Sequence, residues 1–230
     1  MFFRTRYKYY KELIRQNFNS DGEVYFSQKI YKYIKKGFYV DVGCYHPIKG
    51  SHTSYLYNNG WSGLNLDISA ESIEMFQIFR PRDTSLVLGL SDQGGISDAY
   101  LNKDISTISS LNKDLVTRIG VDNYTIKRTV NTTTLKDLRQ KHNLNKVNFL
   151  KIDCEGQDEL ILTQSSIDDL KSDFLCFEII PMDVSVKNEI EEKDNYLEFF
   201  ATQSFSNKIL DYFTHCDNLG FTYLMKSKYL

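Results

Sequence analysis

The amino-acid sequence predicts an α/β fold, with a largely parallel sheet and helices on both of its faces. Two observations carry this expectation. Apolar β-rich runs end in acidic residues, as in Phe38-Tyr-Val-Asp-Val-Gly43 and Phe149-Leu-Lys-Ile-Asp-Cys-Glu-Gly156. Helix-period segments lie between such runs, and strands that alternate with helices build parallel sheets. A strand closed by Asp41 and Gly43 is also how an open α/β sheet presents a crevice at its carboxyl edge. Two such ends predict one cleft with a ligand side and a chemistry side.

Residues 1–35 read as helical: Ser20, Asp21 and Glu23 form a start signal, and Val24, Ile30 and Ile34 have helix spacing. Gly37 stops the helix, and the first strand follows at 38–43. A loop with His46, Pro47, Ser51, His52 and Thr53 leads to a short helix near 55–59, closed by Gly60. The second strand, 63–68, contains Asp67. A helix over 70–79 turns Met75, Phe76 and Phe79 inward, and 84–90 makes the third strand. The turn Ser91-Asp-Gln-Gly-Gly95 follows. From 96 to 131, Ser, Thr, Asn and Asp are frequent, which predicts a long insertion with a short strand or two. A helix at 135–142 precedes the fourth strand, 147–153, and another begins near Gly156. The fifth strand is 174–180. The tail gives one helix near 206–218 and a last strand over 221–225. The expected division is an N-terminal helical extension, 1–36, and one domain, 37–230.

At 230 residues the chain is long enough to bury about 70–75% of its unfolded surface. A formal net charge of −2 counts against a protein that coats itself with nucleic acid. Cys44, Cys154, Cys176 and Cys216 contain no C-x-x-C pair, so zinc and disulfide frameworks lack support. Reduced thiols and a cytoplasmic location are expected. No secretory apolar core is seen, and no apolar run approaches the roughly 18 residues of a membrane span.

A dinucleotide fingerprint needs three glycines for backbone to approach a pyrophosphate, and here only Gly43 is present. S-adenosylmethionine carries no phosphate, so one glycine suffices. Its ammonium and sulfonium groups suit carboxylates such as Asp41 and Asp153. Asp67, at the end of the second strand, is placed to accept ribose hydroxyls, and the Ser91–Asp92 turn is where an adenine would lie.

With His46-Pro47, Ser51-His-Thr53, Leu56-Tyr57, Gly60-Trp-Ser-Gly63, Arg80-Pro-Arg-Asp83, Ser91-Asp92, Ser106-Thr107, Thr134-Leu135 and Glu178 added, residues 37–180 resemble FkbM-type methyltransferases. That family lies within the class I S-adenosylmethionine-dependent superfamily. The resemblance implies a Rossmann-like class I methyltransferase fold, a mostly parallel seven-stranded sheet flanked by helices. It also implies methyl transfer to a hydroxyl, often on a sugar in a glycan, polysaccharide or secondary metabolite. The cofactor side would then take in Asp41, Gly43, Tyr45, Ser51, Thr53, Asp67, Ile68, Ser91, Asp92 and Asp153. Two departures stand out. The second strand ends Leu-Asp-Ile where an acid followed by proline is common, and His52 stands where asparagine is frequent.

In-line methyl transfer needs an aligned acceptor oxygen and gains from a base that takes its proton. His46, Asp153 and Glu155 are the candidate bases. The competing readings are a backbone-capping loop histidine for His46 and a helix-start acid for Glu155. Lys151 reads as a structural partner of Asp153 or Glu178, and Trp61 as core. Asp153, Glu155 and Glu178 could alternatively gather a magnesium ion, because hard cations want oxygen ligands.

Arg4, Arg6, Lys8, Lys11 and Arg15 interleave with Tyr7, Tyr9 and Tyr10. This stretch reads as a solvated amphipathic helix. Docking of an anionic surface, an acceptor or a second copy in a homo-oligomer is its other use. An RNA methyltransferase is a competing function, but no Asn-Pro-Pro-aromatic motif supports it. A non-catalytic binding protein that retains the fold is another. Acids kept at 41, 67 and 153 count against it, because buried charges are costly.

Overall fold

The computed structural model describes residues 21–106, 108–120, 123–181 and 183–230. The basic tyrosine-rich stretch and the helix start at Ser20 lie outside these residues. In chain order the elements are α1 (Asp21–Tyr33), β1 (Phe38–Val42), α2 (Ser54–Asn58), β2 (Ser62–Asp67), α3 (Ala70–Phe79), β3 (Thr84–Val87) and β4 (Gly89–Leu90). Next come β5 (Gly95–Leu101), α4 (Lys113–Ile119), β6 (Ile126–Thr133), α5 (Leu135–Lys141), β7 (Phe149–Ile152), α6 (Asp158–Gln164) and α7 (Ile167–Leu170). The remainder is β8 (Phe174–Glu178), α8 (Val184–Lys193), α9 (Tyr196–Thr202), α10 (Ser206–Tyr212), β9 (Phe213–Leu219) and β10 (Thr222–Ser227).

Seven strands form the main sheet in the order β3-β2-β1-β7-β8-β10-β9. The β3, β2, β1, β7 and β8 strands run parallel, and β10 enters antiparallel to both β8 and β9. This is the mostly parallel, helix-flanked, seven-stranded Rossmann-like sheet that the resemblance implies. Strand order reverses between β1 and β7, and such a switch point opens a crevice at the carboxyl edge.

Alternation along each strand separates two cores. Val40, Val42, Leu150, Ile152, Leu175 and Phe177 point to the face covered by α5, α6, α7, α9 and α10. Tyr39, Phe149, Phe174 and Cys176 point to the other face, under Phe26 and Ile30 of α1 and Leu56 and Tyr57 of α2. Trp61 is fully buried in that second core, as its sequence context predicts. On α3 the inward residues are Ile73, Met75 and Phe76, whereas Phe79 is only half-buried.

Several expectations need correction. The run 84–90 is two strands: β3 stays in the main sheet, and β4 leaves it to pair with β6. The 96–131 insertion is more ordered than its polarity suggests. Its β5 and β6 make seven antiparallel pairs and form a small sheet with β4 in the order β4-β6-β5, with α4 between β5 and β6. The expected helix over 206–218 ends at Tyr212, and 213–219 is the edge strand β9. The short helices α7, α8 and α9 were not expected. Among the described residues, no helix is long and apolar enough to cross a membrane.

Candidate active site

An open cleft lies over the switch point. Gly43 and Tyr45 beyond β1, with Asp67 and Ile68 at the end of β2, line one side. Leu88, Gly89 and Leu90 form an apolar wall, and Lys151 of β7 with Asp153, Cys154 and Glu155 just beyond it form the other side. Gly50 and His52 come from the loop after β1. Ser106, Ser109 and Leu111 reach in from the insertion. Ligand pockets commonly combine an apolar wall with a few convergent polar groups in this way.

Gly43 is what lets β1 and β7 end side by side. Its φ is +70°, and a Cβ there would lie 1.8 Å from the carbonyl oxygen of Asp153. Behind it sits a buried charge chain. Lys151 Nζ donates to the Gly43 carbonyl at 2.8 Å and lies 3.2 Å from Asp153 Oδ2 and 3.4 Å from Asp41 Oδ1. Burial opposes the lysine's charge, but Asp153 and Asp41 outweigh it and hold the ammonium well above the ordinary lysine range. The structural pairing of Lys151 with Asp153 is therefore present. Its second carboxylate is Asp41, not Glu178. Asp41 Oδ2 accepts from Thr53 Oγ1 at 2.6 Å, while Oδ1 is buried with no hydrogen-bond donor among the described residues.

Asp67 accepts the Tyr45 amide on Oδ2 and the Ser69 amide on Oδ1, both at 2.8 Å. Burial pushes its pKa up to about 6 against the pull of these bonds, so it is ionised at neutral pH. Glu155 stands opposite. Burial, then the charges of Asp153, Glu178 and Asp158, push it up to about 8. Burial and Asp153 also raise Asp158 and Glu178. The Glu155 backbone is left-handed, at φ +48°. The insertion holds that turn: Ser110 Oγ donates to the Glu155 carbonyl at 2.6 Å, and Asn112 Nδ2 to the Gly156 carbonyl at 2.7 Å.

Of the residues singled out in the sequence, Gly43, Tyr45, Asp67, Ile68, Asp153 and Glu155 meet on the cleft lining. Asp41, Ser51 and Thr53 lie behind it, buried in one hydrogen-bonded group. Ser91 and Asp92 follow β4 on the turn to β5, with Asp92 exposed. His46 is buried, and its Nδ1 accepts the Ile48 and Lys49 amides at 3.0 Å each. Burial, with Lys49 and Arg80 nearby, lowers its pKa to about 4. Among the described residues, no group of three or more His, Cys, Asp or Glu side chains is placed to hold a metal ion, so the magnesium alternative has no ligand set there.

The resemblance implies that the 96–131 insertion borders the acceptor, but Ser106, Ser109 and Leu111 were not singled out as lining, because the insertion carries no periodicity that aims a particular residue at the cleft. No curated protein and no solved structure matches the chain. The family model described as the methyltransferase FkbM domain matches residues 41–221. Its span opens at Asp41 of β1 and closes at the turn into β10, taking in every cleft-lining residue. The chain is therefore a methyltransferase and belongs to the FkbM domain family.

Proposed function

We propose that this methyltransferase takes its methyl group from S-adenosylmethionine and transfers it to a hydroxyl of a sugar, within a glycan, polysaccharide or glycosylated metabolite. The observation that carries this reading is the placement of Asp67 and Glu155 in one cleft, on opposite sides of the switch point.

The donor set suits that cofactor. Each oxygen of Asp67 accepts one amide, which leaves lone pairs for the two hydroxyls of a ribose. Ile68, Leu88 and Leu90 offer an apolar slot for a flat ring. Asp41, Lys151 and Asp153 together carry one excess negative charge, which favours a cationic ligand. When bound, the donor supplies a methyl group already activated by positive sulfur.

The protein then has to hold the acceptor oxygen in line and relieve it of its proton. Glu155 is the base that fits best. Its pKa of about 8 lies near neutral pH, where general-base catalysis is most effective. Asp153 spends its charge on Lys151, and His46 spends Nδ1 on two backbone amides. Ser106 and Ser109 offer hydroxyls to the acceptor from the insertion side.

Calorimetry with S-adenosylmethionine and S-adenosylhomocysteine tests the donor, and methyl transfer to a panel of sugars and glycans tests the acceptor. Binding of both nucleosides and a methyl ether on a sugar oxygen are expected. Absence of binding heat and of thermal protection would remove the donor. Methylation of RNA, with sugars inert, would overturn the acceptor.

A further inference from the structure

Arg80 is 2% exposed, and among the described residues none of its guanidinium hydrogen bonds goes to a carboxylate. It caps the end of α3, where its amide donates to the Phe76 carbonyl at 2.7 Å. A guanidinium has five donor hydrogens, and five hydrogen bonds leave this one. Nε donates to the Pro47 carbonyl at 2.9 Å, and Nη2 donates to the same carbonyl and to Ser51 Oγ at 2.7 Å. Nη1 donates to Thr53 Oγ1 at 2.8 Å and to the Tyr39 hydroxyl at 3.4 Å. The Phe76 ring lies 4.7 Å from Cζ.

Two hydroxyls relay this charge to carboxylates. Thr53 Oγ1 donates onward to Asp41 Oδ2, and Tyr39 Oη to Asp83 Oδ2, each at 2.6 Å. One arm thus runs from Arg80 through Thr53 to Asp41, then to Lys151 and Asp153 on the cleft wall. The same guanidinium grips the loop at Pro47, Ser51 and Thr53, and that loop supplies Gly50 and His52 to the lining. A buried cation that served packing alone would need no such convergence on one loop, and a buried charge is tolerated only when fully bonded.

We infer that Arg80 is a positioning residue: it clamps the loop over residues 47–53 and, through Thr53, holds Asp41 ready for the methyl donor. The inference rests on the S-adenosylmethionine reading for its functional half. Preorganisation of this kind sets affinity, because an ordered loop has less freedom to lose on binding. Lysine cannot replace the fork, since an ammonium is a point charge with no planar reach to three loop positions.

The test uses the full chain with Arg80→Gln, Arg80→Lys, Thr53→Val and Thr53→Ser. S-adenosylhomocysteine affinity, donor KM, kcat and amide exchange of residues 48–53 are measured. Arg80→Gln, Arg80→Lys and Thr53→Val are expected to weaken donor binding roughly tenfold and raise donor KM alike, with kcat at saturation within about twofold. Thr53→Ser keeps the hydroxyl and restores affinity. Amides of 48–53 exchange faster in the Arg80 variants, while those of β10 do not. Should Arg80→Gln fail to fold, the Thr53 pair still decides. Normal affinity in Thr53→Val, or a fall in kcat with unchanged donor KM, would overturn the clamp. Wild-type protein that bound no donor would sink the cofactor reading by itself, and loop exchange alone would then decide whether the clamp exists.

Discussion

At the residue scale the proposed reaction turns on Glu155. Its neighbours are acids, so burial and repulsion keep a proton on it up to about pH 8. Glu155→Gln is expected to lower kcat by about 10²–10³ and leave donor affinity nearly unchanged, the pattern of a lost proton acceptor. For the wild type, kcat should climb with pH to a plateau, because the base works only when deprotonated. A bound cationic donor favours the carboxylate, so the midpoint in the complex should lie below 8. His46, lowered to about 4, adds no inflection near the ordinary histidine range, and His46→Gln should leave the profile's shape intact. A wild-type midpoint near 6.5 that vanished in His46→Gln would transfer the role to the histidine. The acid after β7 was legible in the sequence because it follows an apolar strand end. The capping role of His46 was less so, since only the folded loop brings the Ile48 and Lys49 amides onto its ring.

At the scale of elements, space decides what a glycine is worth. Gly43 and Gly60 both have positive φ, at +70° and +91°, but only Gly43 has backbone where a Cβ would go. Gly60→Ala should cost roughly 1–2 kcal/mol from conformation alone. Gly43→Ala should cost clearly more and abolish donor binding, because the Asp153 carbonyl cannot yield without parting β1 from β7. Urea denaturation of the pair checks the ranking, and equal losses would refute it. The same packing explains which elements the sequence made readable. The strands β1, β2, β7 and β8 are covered on both faces, so they appear as apolar runs. Edge elements carry no such mark. In β9, Thr214, His215, Asp217 and Asn218 read as a polar helix end, although Gly220, at φ +56°, already punctuates a hairpin with β10. The split of 84–90 was equally hidden, because both β3 and β4 draw on one continuous β-rich run. The cleft's carboxylates were visible at strand ends, whereas its serine wall depends on how the insertion folds back.

For the whole molecule, the cleft is a store of strained charge. Lys151 faces Asp41 and Asp153, with Asp67, Glu155, Asp158 and Glu178 close behind, in a chain whose formal net charge is only −2. The folded pKa of Glu155 is raised from 4.5 to about 8 and that of Asp67 from 3.8 to about 6. For acids raised in this way, the folded state binds more protons than the unfolded state between the two values. The stability these two acids contribute is therefore full below about pH 4 and is lost as pH rises towards 8. The ligand-free protein should melt at a lower temperature at pH 8 than at pH 6. Glu155→Gln should flatten that slope and gain roughly 3–6 °C at pH 8, the equivalent of about 1–2 kcal/mol in a chain of this size. Binding a cation reverses the strain, since a positive ligand stabilises the carboxylates and expels their protons. S-adenosylmethionine binding at pH 7 should accordingly release protons, measurable as a dependence of calorimetric heat on buffer ionisation enthalpy. S-adenosylhomocysteine, whose sulfur is neutral, should release fewer. Proton uptake, or equal release with both ligands, would mean that the sulfur does not sit among these acids. On the proposed reading catalysis and stability are linked: the repulsion that weakens the fold is the same repulsion that would keep Glu155 basic enough to take a hydroxyl proton.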